Sequence, residues 1–324
     1  SFLQYCNRYV KWVPSTTSAR DEALWMLSVF YFVFDQKGIV EKQTPIDPAY
    51  IGKTTPLSNW LHEYADSLGK WMDTEDSGKL VSTFRTNPEY TVFEYQEPEG
   101  GWKTFNQFFS RTVNPVYRPI CPRNTVASPC DAKFDGFWEI KDGKVRLETQ
   151  TVKFKGIEWP IEQLLQDTEL GKTFHNGVFM HSFLLPNNYH RVHAPVSGKV
   201  INRKTIKGDV YLEVTADPDK QKLLPLPRRM MPRKGLNAPE DVTAQDYAGY
   251  QWNQVRGMWV IDTDQSEVDD IRIGKVALFA VGMAQISSVN WDKQTAGAPN
   301  TQVQKGEEIG YLKYGGSDYI LLFE

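Results

Sequence analysis

The sequence predicts an α+β fold, a mainly antiparallel β domain of duplicated hairpins with a helical N-terminal region, and three observations carry the prediction. Residues 1–104 place apolar residues at helical spacing. Residues 105–324 break into short apolar runs separated by turn signals. Between them Glu97-Pro98-Glu99-Gly100-Gly101 punctuates the chain and sets the boundary near 104.

In the first region, Ser18-Ala19-Arg20-Asp21 has the form of a capping box ahead of the apolar run Ala23 to Phe34. After Pro56, Leu57, Leu61, Tyr64, Leu68, Trp71 and Met72 form one core-facing stripe. His62 falls off that stripe and is expected to be solvated. In the second region, strands are predicted at Val178 to Leu184, Gly198 to Ile201, Asp209 to Thr215, Met258 to Asp262, Lys275 to Val281 and Tyr319 to Phe323. Ser128-Pro129-Cys130-Asp131-Ala132-Lys133-Phe134 echoes Ala194-Pro195-Val196-Ser197-Gly198-Lys199-Val200, which suggests two related hairpins. The Pro- and Gly-rich stretch 218–252 holds a basic-apolar segment, Lys220 to Lys234, that reads equally as a solvated loop or an active-site lid, with contact to an acidic membrane surface as a weaker third reading.

A chain of 324 residues with 40% apolar and 13% aromatic residues can bury a large core. A net charge of −3 gives no global attraction to nucleic acid, and no nucleic-acid-binding motif is present. Cys6, Cys121 and Cys130 make an odd set without metal-type spacing, which fits a reducing compartment or unpaired structural thiols. The run Ala23 to Phe34 is too short to span a bilayer, which needs roughly 20 residues. A cytoplasmic, soluble protein is the expectation, with peripheral membrane contact as the alternative.

The most informative segment is Tyr314-Gly315-Gly316-Ser317-Asp318-Tyr319. Two glycines free the backbone just before a hydroxyl. The Gly316 carbonyl could therefore be bent toward Ser317 and attacked by it, though the same residues would also make a hairpin turn before an edge strand. A second segment, Tyr189-His190-Arg191-Val192-His193-Ala194-Pro195, carries two of five histidines, and a third, Ser128-Pro129-Cys130-Asp131, sets a carboxylate after a proline turn.

Together with Phe105-Asn106-Gln107-Phe108-Phe109-Ser110-Arg111, Arg118-Pro119-Ile120, His175-Asn176-Gly177 and Gly315-Gly316-Ser317, these segments resemble the phosphatidylserine decarboxylase family of pyruvoyl-dependent enzymes, from Phe105 to the end. The resemblance implies self-cleavage between Gly316 and Ser317. His193 would be the base and Asp131 its orienting carboxylate. Attack by Ser317 would give an ester, and β-elimination with hydrolysis would leave a pyruvoyl group made from Ser317. That group replaces pyridoxal phosphate as the electron sink for decarboxylation through a Schiff base, and no metal is implied. His190 would be the general acid that returns a proton to carbon. Positions three apart point to opposite sides of a regular strand, so a turn or bulge is needed for both histidines to face one pocket.

Two departures bear on the substrate. Membrane phospholipid decarboxylases usually carry Leu-Gly-Ser-Thr where this chain has Gly315-Gly316-Ser317-Asp318, and Ala132 stands where a glycine commonly follows. The cleavage site and the long helical region look more like the soluble branch, including fungal tryptophan decarboxylases. Asp318 would also place a negative charge beside the cofactor, disfavouring a nearby phosphate. The first expectation is a free L-amino acid, aromatic or apolar, as substrate, with phosphatidylserine as the alternative and Leu223 to Met231 as its apolar approach. A homo-oligomer is left open. A Ser-His-Asp hydrolase is disfavoured because the G-x-S-x-G elbow is absent. A lipoyl- or biotinyl-like carrier module is the remote alternative, lacking a lysine at the hairpin tip.

Overall fold

The computed structural model describes residues 1–17, 20–45, 48–146, 158–210, 213–217, 222–226, 250–283, 289–291 and 297–324. The helical region contains α1 (Phe2–Val10), α2 (Glu22–Phe34) and α3 (Pro56–Met72), followed by the short α4 (Phe105–Phe109). Local chemistry sets their starts. Ser1 accepts the Gln4 N–H at 3.4 Å, and Thr55 accepts the Ser58 N–H at 3.2 Å with Pro56 pre-set in the first turn. The stripe on α3 is realised: Leu61, Tyr64, Leu68 and Met72 are buried. Tyr64 stacks on Phe30 of α2 with centroids 4.6 Å apart and donates its hydroxyl to the Cys6 carbonyl of α1 at 2.8 Å. Ser18 and Ala19 of the expected capping box lie outside the described residues.

The strands that matter for the site are β1 (Lys133–Lys141), β2 (Val178–Leu184), β3 (Arg191–His193), β4 (Gly198–Ile206), β5 (Arg256–Asp262), β6 (Lys275–Gly282), β7 (Val289–Trp291), β8 (Glu308–Leu312) and β9 (Ser317–Phe323). A nine-stranded antiparallel sheet runs Gln302–Val303, β4, β5, β6, β9, β2, β1, Lys144–Arg146, Glu158–Pro160. A three-stranded sheet, β7-β8-β3, packs beside it. Leu278, Tyr319 and Leu321 of the large sheet join Val192, Ile309 and Leu312 of the small one in one apolar cluster. Phe279, Ile320 and Leu322 point the other way, into a cluster with Phe30, Tyr64 and Phe108 of the helical layer. The large sheet is therefore the middle of three layers, and its central strands are covered on both faces. That explains why β5 is buried at every position instead of at alternate ones.

Several expectations need adjustment. β9 begins at Ser317, two residues before the predicted start, so the hydroxyl belongs to the ladder. His62 is only partly solvated, its side chain being 31% exposed. Its Nε2 is buried 3.8 Å from Asp209, and burial lowers its pKa. The predicted strand at Asp209 is a single bridge to Gln254, and the hairpin proper pairs Glu213–Asp217 with Lys222–Leu226. Most of the basic-apolar segment lies outside the described residues. The two echoing segments hydrogen-bond side by side, Ala127 N–H to the Pro195 carbonyl at 2.9 Å and His193 N–H to the Pro129 carbonyl at 2.7 Å. Cys6, Cys121 and Cys130 are free thiols. No helix among the described residues is long and apolar enough to cross a membrane.

Candidate active site

Ser317 opens β9 between Gly282 of β6 and Leu184 of β2. It is fully buried, and its Oγ has no hydrogen-bond partner. A buried hydroxyl normally finds one, so a free one at this position is a group held ready. Just before it, Gly315 has φ +151°, a conformation that favours glycine. The Gly316 carbonyl accepts the Met283 backbone N–H at 2.8 Å. That bond pulls electron density toward the carbonyl oxygen, which is what a donor must do to support attack on the carbon.

The loop ahead of the glycines is tied to α4. Asn106 Oδ1 accepts the Tyr314 N–H at 3.0 Å, while its Nδ2 donates to Asp73 at 3.0 Å and to the Gly69 carbonyl at 3.2 Å. One side chain thus joins the end of α3 to the loop. Tyr314 packs edge-on against Phe105 and Phe109, with centroids 5.5 and 5.6 Å away. At the opposite end of the sheet, Gly177 lies against the Phe323 carbonyl, where a Cβ would come within 1.8 Å of the oxygen. The Phe105–Arg111 and His175–Gly177 segments therefore brace the two ends of β9.

Phe109 also stacks on His190, centroids 3.9 Å apart. His190 is fully buried with both ring nitrogens unpartnered. Burial, reinforced by the nearby Arg111 guanidinium, pushes its pKa down to about 3, so the ring is neutral at physiological pH. Arg111 is itself buried, lying 4.0 Å from the Tyr95 ring centroid and donating to the carbonyls of Asn187 and Phe108. Its Nε has no partner.

His193 is oriented by two contacts. Nδ1–H donates to the Gly306 carbonyl at 2.7 Å, because a carbonyl can only accept, and Nε2 accepts the Tyr189 hydroxyl at 2.8 Å. Asp131 is held elsewhere: Arg118 donates to both its oxygens, Nε at 2.8 Å and Nη2 at 2.7 Å, and also reaches Glu94 at 2.9 Å. The orienting partner on His193 is thus Gly306, with Asp131 linked to it through the turn at Pro129. The turn or bulge required for the two histidines is present. His190 precedes β3, and the pairing of β3 with β8 slips between Glu308 and Gly310.

A second polar group sits on the helical face of the sheet. Asp318 is fully buried; one carboxylate oxygen accepts the Tyr250 hydroxyl and lies 3.2 Å from His181 Nε2, and the other has no partner. His181 Nδ1–H donates to Asp135 at 2.7 Å, and the Gln251 amide lies 2.9 Å from Nε2. Asp135 occupies the bulge between Phe134 and Gly136 of β1. The sequence held a signal for this group, since His181 and Asp318 are polar residues inside apolar strands. Met283 could not be found in that way, because its contribution is a backbone N–H.

Residues 105–324 match the model of the family described as phosphatidylserine decarboxylase. Among curated proteins, the chain is 28% identical over 261 residues to the phosphatidylserine decarboxylase proenzyme of Fusobacterium nucleatum, covering 80% of this chain and 73% of that one. It is 29% identical over 259 residues to proenzyme 3 of Schizosaccharomyces pombe and 27% over 275 to proenzyme 2 of Oryza sativa, covering 79% and 83% of this chain. The matches span only 22% and 37% of those two longer proteins. These relatives overturn the expectation of a free amino acid as substrate, since each is named for phosphatidylserine. The electrostatic argument for that expectation fails as well: the charge of Asp318 faces His181 and Tyr250 on the far side of the sheet, not the Ser317 side. The chain belongs to the phosphatidylserine decarboxylase family, carboxy-lyases made as proenzymes that carry a pyruvoyl group.

Proposed function

We propose that this protein is a self-processing decarboxylase that removes carbon dioxide from the serine headgroup of phosphatidylserine, giving phosphatidylethanolamine. The observation that carries the reading is a buried, unpartnered Ser317 Oγ beside a carbonyl already bonded to Met283, within a segment that matches the family throughout. Residues 105–324 would form the catalytic domain, with 1–104 as a helical layer over one face.

In maturation, Ser317 Oγ attacks the Gly316 carbon while Met283 N–H stabilises charge developing on the oxygen. His193 Nε2 takes the hydroxyl proton once Tyr189 yields its place, and the Gly306 carbonyl holds the imidazole in the required tautomer. Asp131 and Arg118 fix the turn against which His193 is docked. The pyruvoyl group left at residue 317 supplies an electron sink conjugated to an amide carbonyl. His190 and Arg111 act on the substrate. Arg111 is a buried cation whose unpartnered Nε suits an anionic headgroup. Entry of that anion favours the charged form of His190, which can then return the proton to carbon after carbon dioxide leaves. Phe109 holds the imidazole flat while this happens.

A lipid substrate calls for an apolar approach, and one lies near Arg118. Phe93, Val116 and Ile120 are 74%, 72% and 59% exposed, Phe93 packs edge-on against Tyr117, and Ile120 reaches Gly306, the partner of His193. Peripheral contact with a membrane through these residues fits the reading. The test is turnover of phosphatidylserine in mixed micelles by the cut protein, with Ser317→Ala as control. An uncut chain that decarboxylates, or a cut chain inert on the lipid, would reject the proposal.

A further inference from the structure

The group around Asp318 has no part in the chemistry above, yet it is costly. A fully buried carboxylate with one oxygen unpartnered is expensive, and an all-apolar cluster at this place would be the cheaper way to pack β9. Resting on the self-cleavage reading, we infer that Asp318, clasped by His181 and Tyr250, is a positioning residue that fixes the Ser317–Asp318 peptide plane during pyruvoyl formation.

The placement follows from strand geometry. Successive side chains of β9 alternate faces, so Ser317 looks toward the small sheet and Asp318 toward the helical layer. Ile320 pairs with His181, which makes His181 the diagonal neighbour of Asp318 on that face. Asp135 reaches the same ring from the β1 bulge, an irregularity that re-aims a side chain. The backbone of Asp318 is paired on both sides, to Val281 and to Phe183. Side chain and backbone together hold residue 318 at three points, directly next to the residue that must be rebuilt.

The chemistry shows why that matters. Once Ser317 Oγ has attacked and the Gly316–Ser317 peptide bond has become an ester, two outcomes compete. Removal of the Ser317 Cα proton expels the Gly316 carboxylate and leaves dehydroalanine, whose imine form reacts with water to give pyruvoyl and ammonia. Direct attack of water on the ester instead gives the same Gly316 carboxylate and an unchanged serine amino terminus. The first route requires the Cα–H bond to overlap the π system of the Ser317 carbonyl. The dihedral that decides this overlap is set by the peptide plane whose far end is Asp318.

The experiment uses the whole chain. Purified wild type, Asp318→Asn and His181→Gln are allowed to mature, and intact mass is used to count cut chains ending in pyruvoyl against those ending in serine, which differ by one ammonia. Melting temperature is followed in parallel. Wild type should end in pyruvoyl. Both variants should be cut but shift toward serine termini by up to about a hundred-fold in ratio, the scale expected for a small misplacement of reacting groups. A merely structural role would change melting without changing the ratio. A wild-type ratio in both folded variants overturns the inference and leaves the function standing, whereas an uncut wild-type chain rejects the self-cleavage reading itself. If Asp318→Asn fails to fold, the His181→Gln ratio decides alone.

Discussion

The ring of His190 lies on the ring of Phe109 at 3.9 Å with an interplanar angle of 24°, and neither imidazole nitrogen has a hydrogen-bond partner. A histidine ring packed flat against an aromatic ring in this way leaves its nitrogens open to a ligand. Phe109 in turn touches Tyr314, so the group proposed to handle the substrate and the loop proposed to be cut share one aromatic contact.

This arrangement separates turnover from maturation. His190→Ala should be cut normally and lose turnover by about a hundred-fold to ten-thousand-fold, the usual cost of a missing general acid. Phe109→Leu should keep the imidazole but lower kcat more than it raises KM. Gel mobility and steady-state kinetics on the two proteins decide it, and a cutting defect in His190→Ala would remove the division of labour.

His193 is predicted to act one step earlier. His193→Ala should leave the chain uncut, as should Ser317→Ala. Asp131→Asn should slow cutting greatly by loosening Arg118 and the turn at Pro129. Tyr189→Phe, which removes the hydrogen bond to Nε2, should still be cut because the base is left free. Rapid cutting of His193→Ala in a time course would assign the base elsewhere.

The donor on the Gly316 carbonyl is open to a separate check. Met283→Pro deletes the N–H while keeping the residue apolar. The removal of one such donor typically costs about a hundred-fold to a thousand-fold in rate. Met283→Leu, which keeps the N–H, should be cut like wild type, and equal cutting by both variants would show that the bond to Gly316 is not used.

Asp209 should make stability depend on pH. Burial raises its carboxyl from 3.8 to about 7, with Ser58 and Thr44 opposing the shift. Between these values the folded chain holds a proton that the unfolded chain has released. Stability therefore falls as pH rises from about 4 to 7, by up to about 1.4 kcal/mol per unit. Asp209→Asn cannot titrate, so its stability relative to wild type should rise across that window. Parallel urea melts at pH 5 and 7 measure the difference, and a constant difference would place the carboxyl in its ordinary range.

Much of this was legible in the sequence because the periodicities were strong. The α3 stripe and the run Val178–Leu184 appear where spacing put them. The site was legible as segments but not as contacts. Asp131 and His193 were paired by resemblance, yet Arg118 and Gly306 are the groups that touch them, and a backbone carbonyl leaves no trace in a residue pattern. The glycines marked the bend, whereas the Met283 N–H that meets the Gly316 carbonyl comes from a strand end over thirty positions away. Asp318 was noticed for its charge, but the sign of its effect depended on which face it occupied. That in turn depended on β9 starting at Ser317 and not at Tyr319.

Because β9 is a central strand, laced to β6 on one side and β2 on the other, a cut before Ser317 would free no edge and release no fragment. The two pieces would stay one body, but the instructions for building that body would now be split between two molecules. Heating the uncut chain and cooling it again should restore the native form. The same cycle after the cut should not, because the carboxyl-terminal piece would have to find the middle of a nine-stranded sheet from solution. Maturation would in this sense erase the route by which the protein was made, leaving an enzyme that lasts only as long as it is never unfolded.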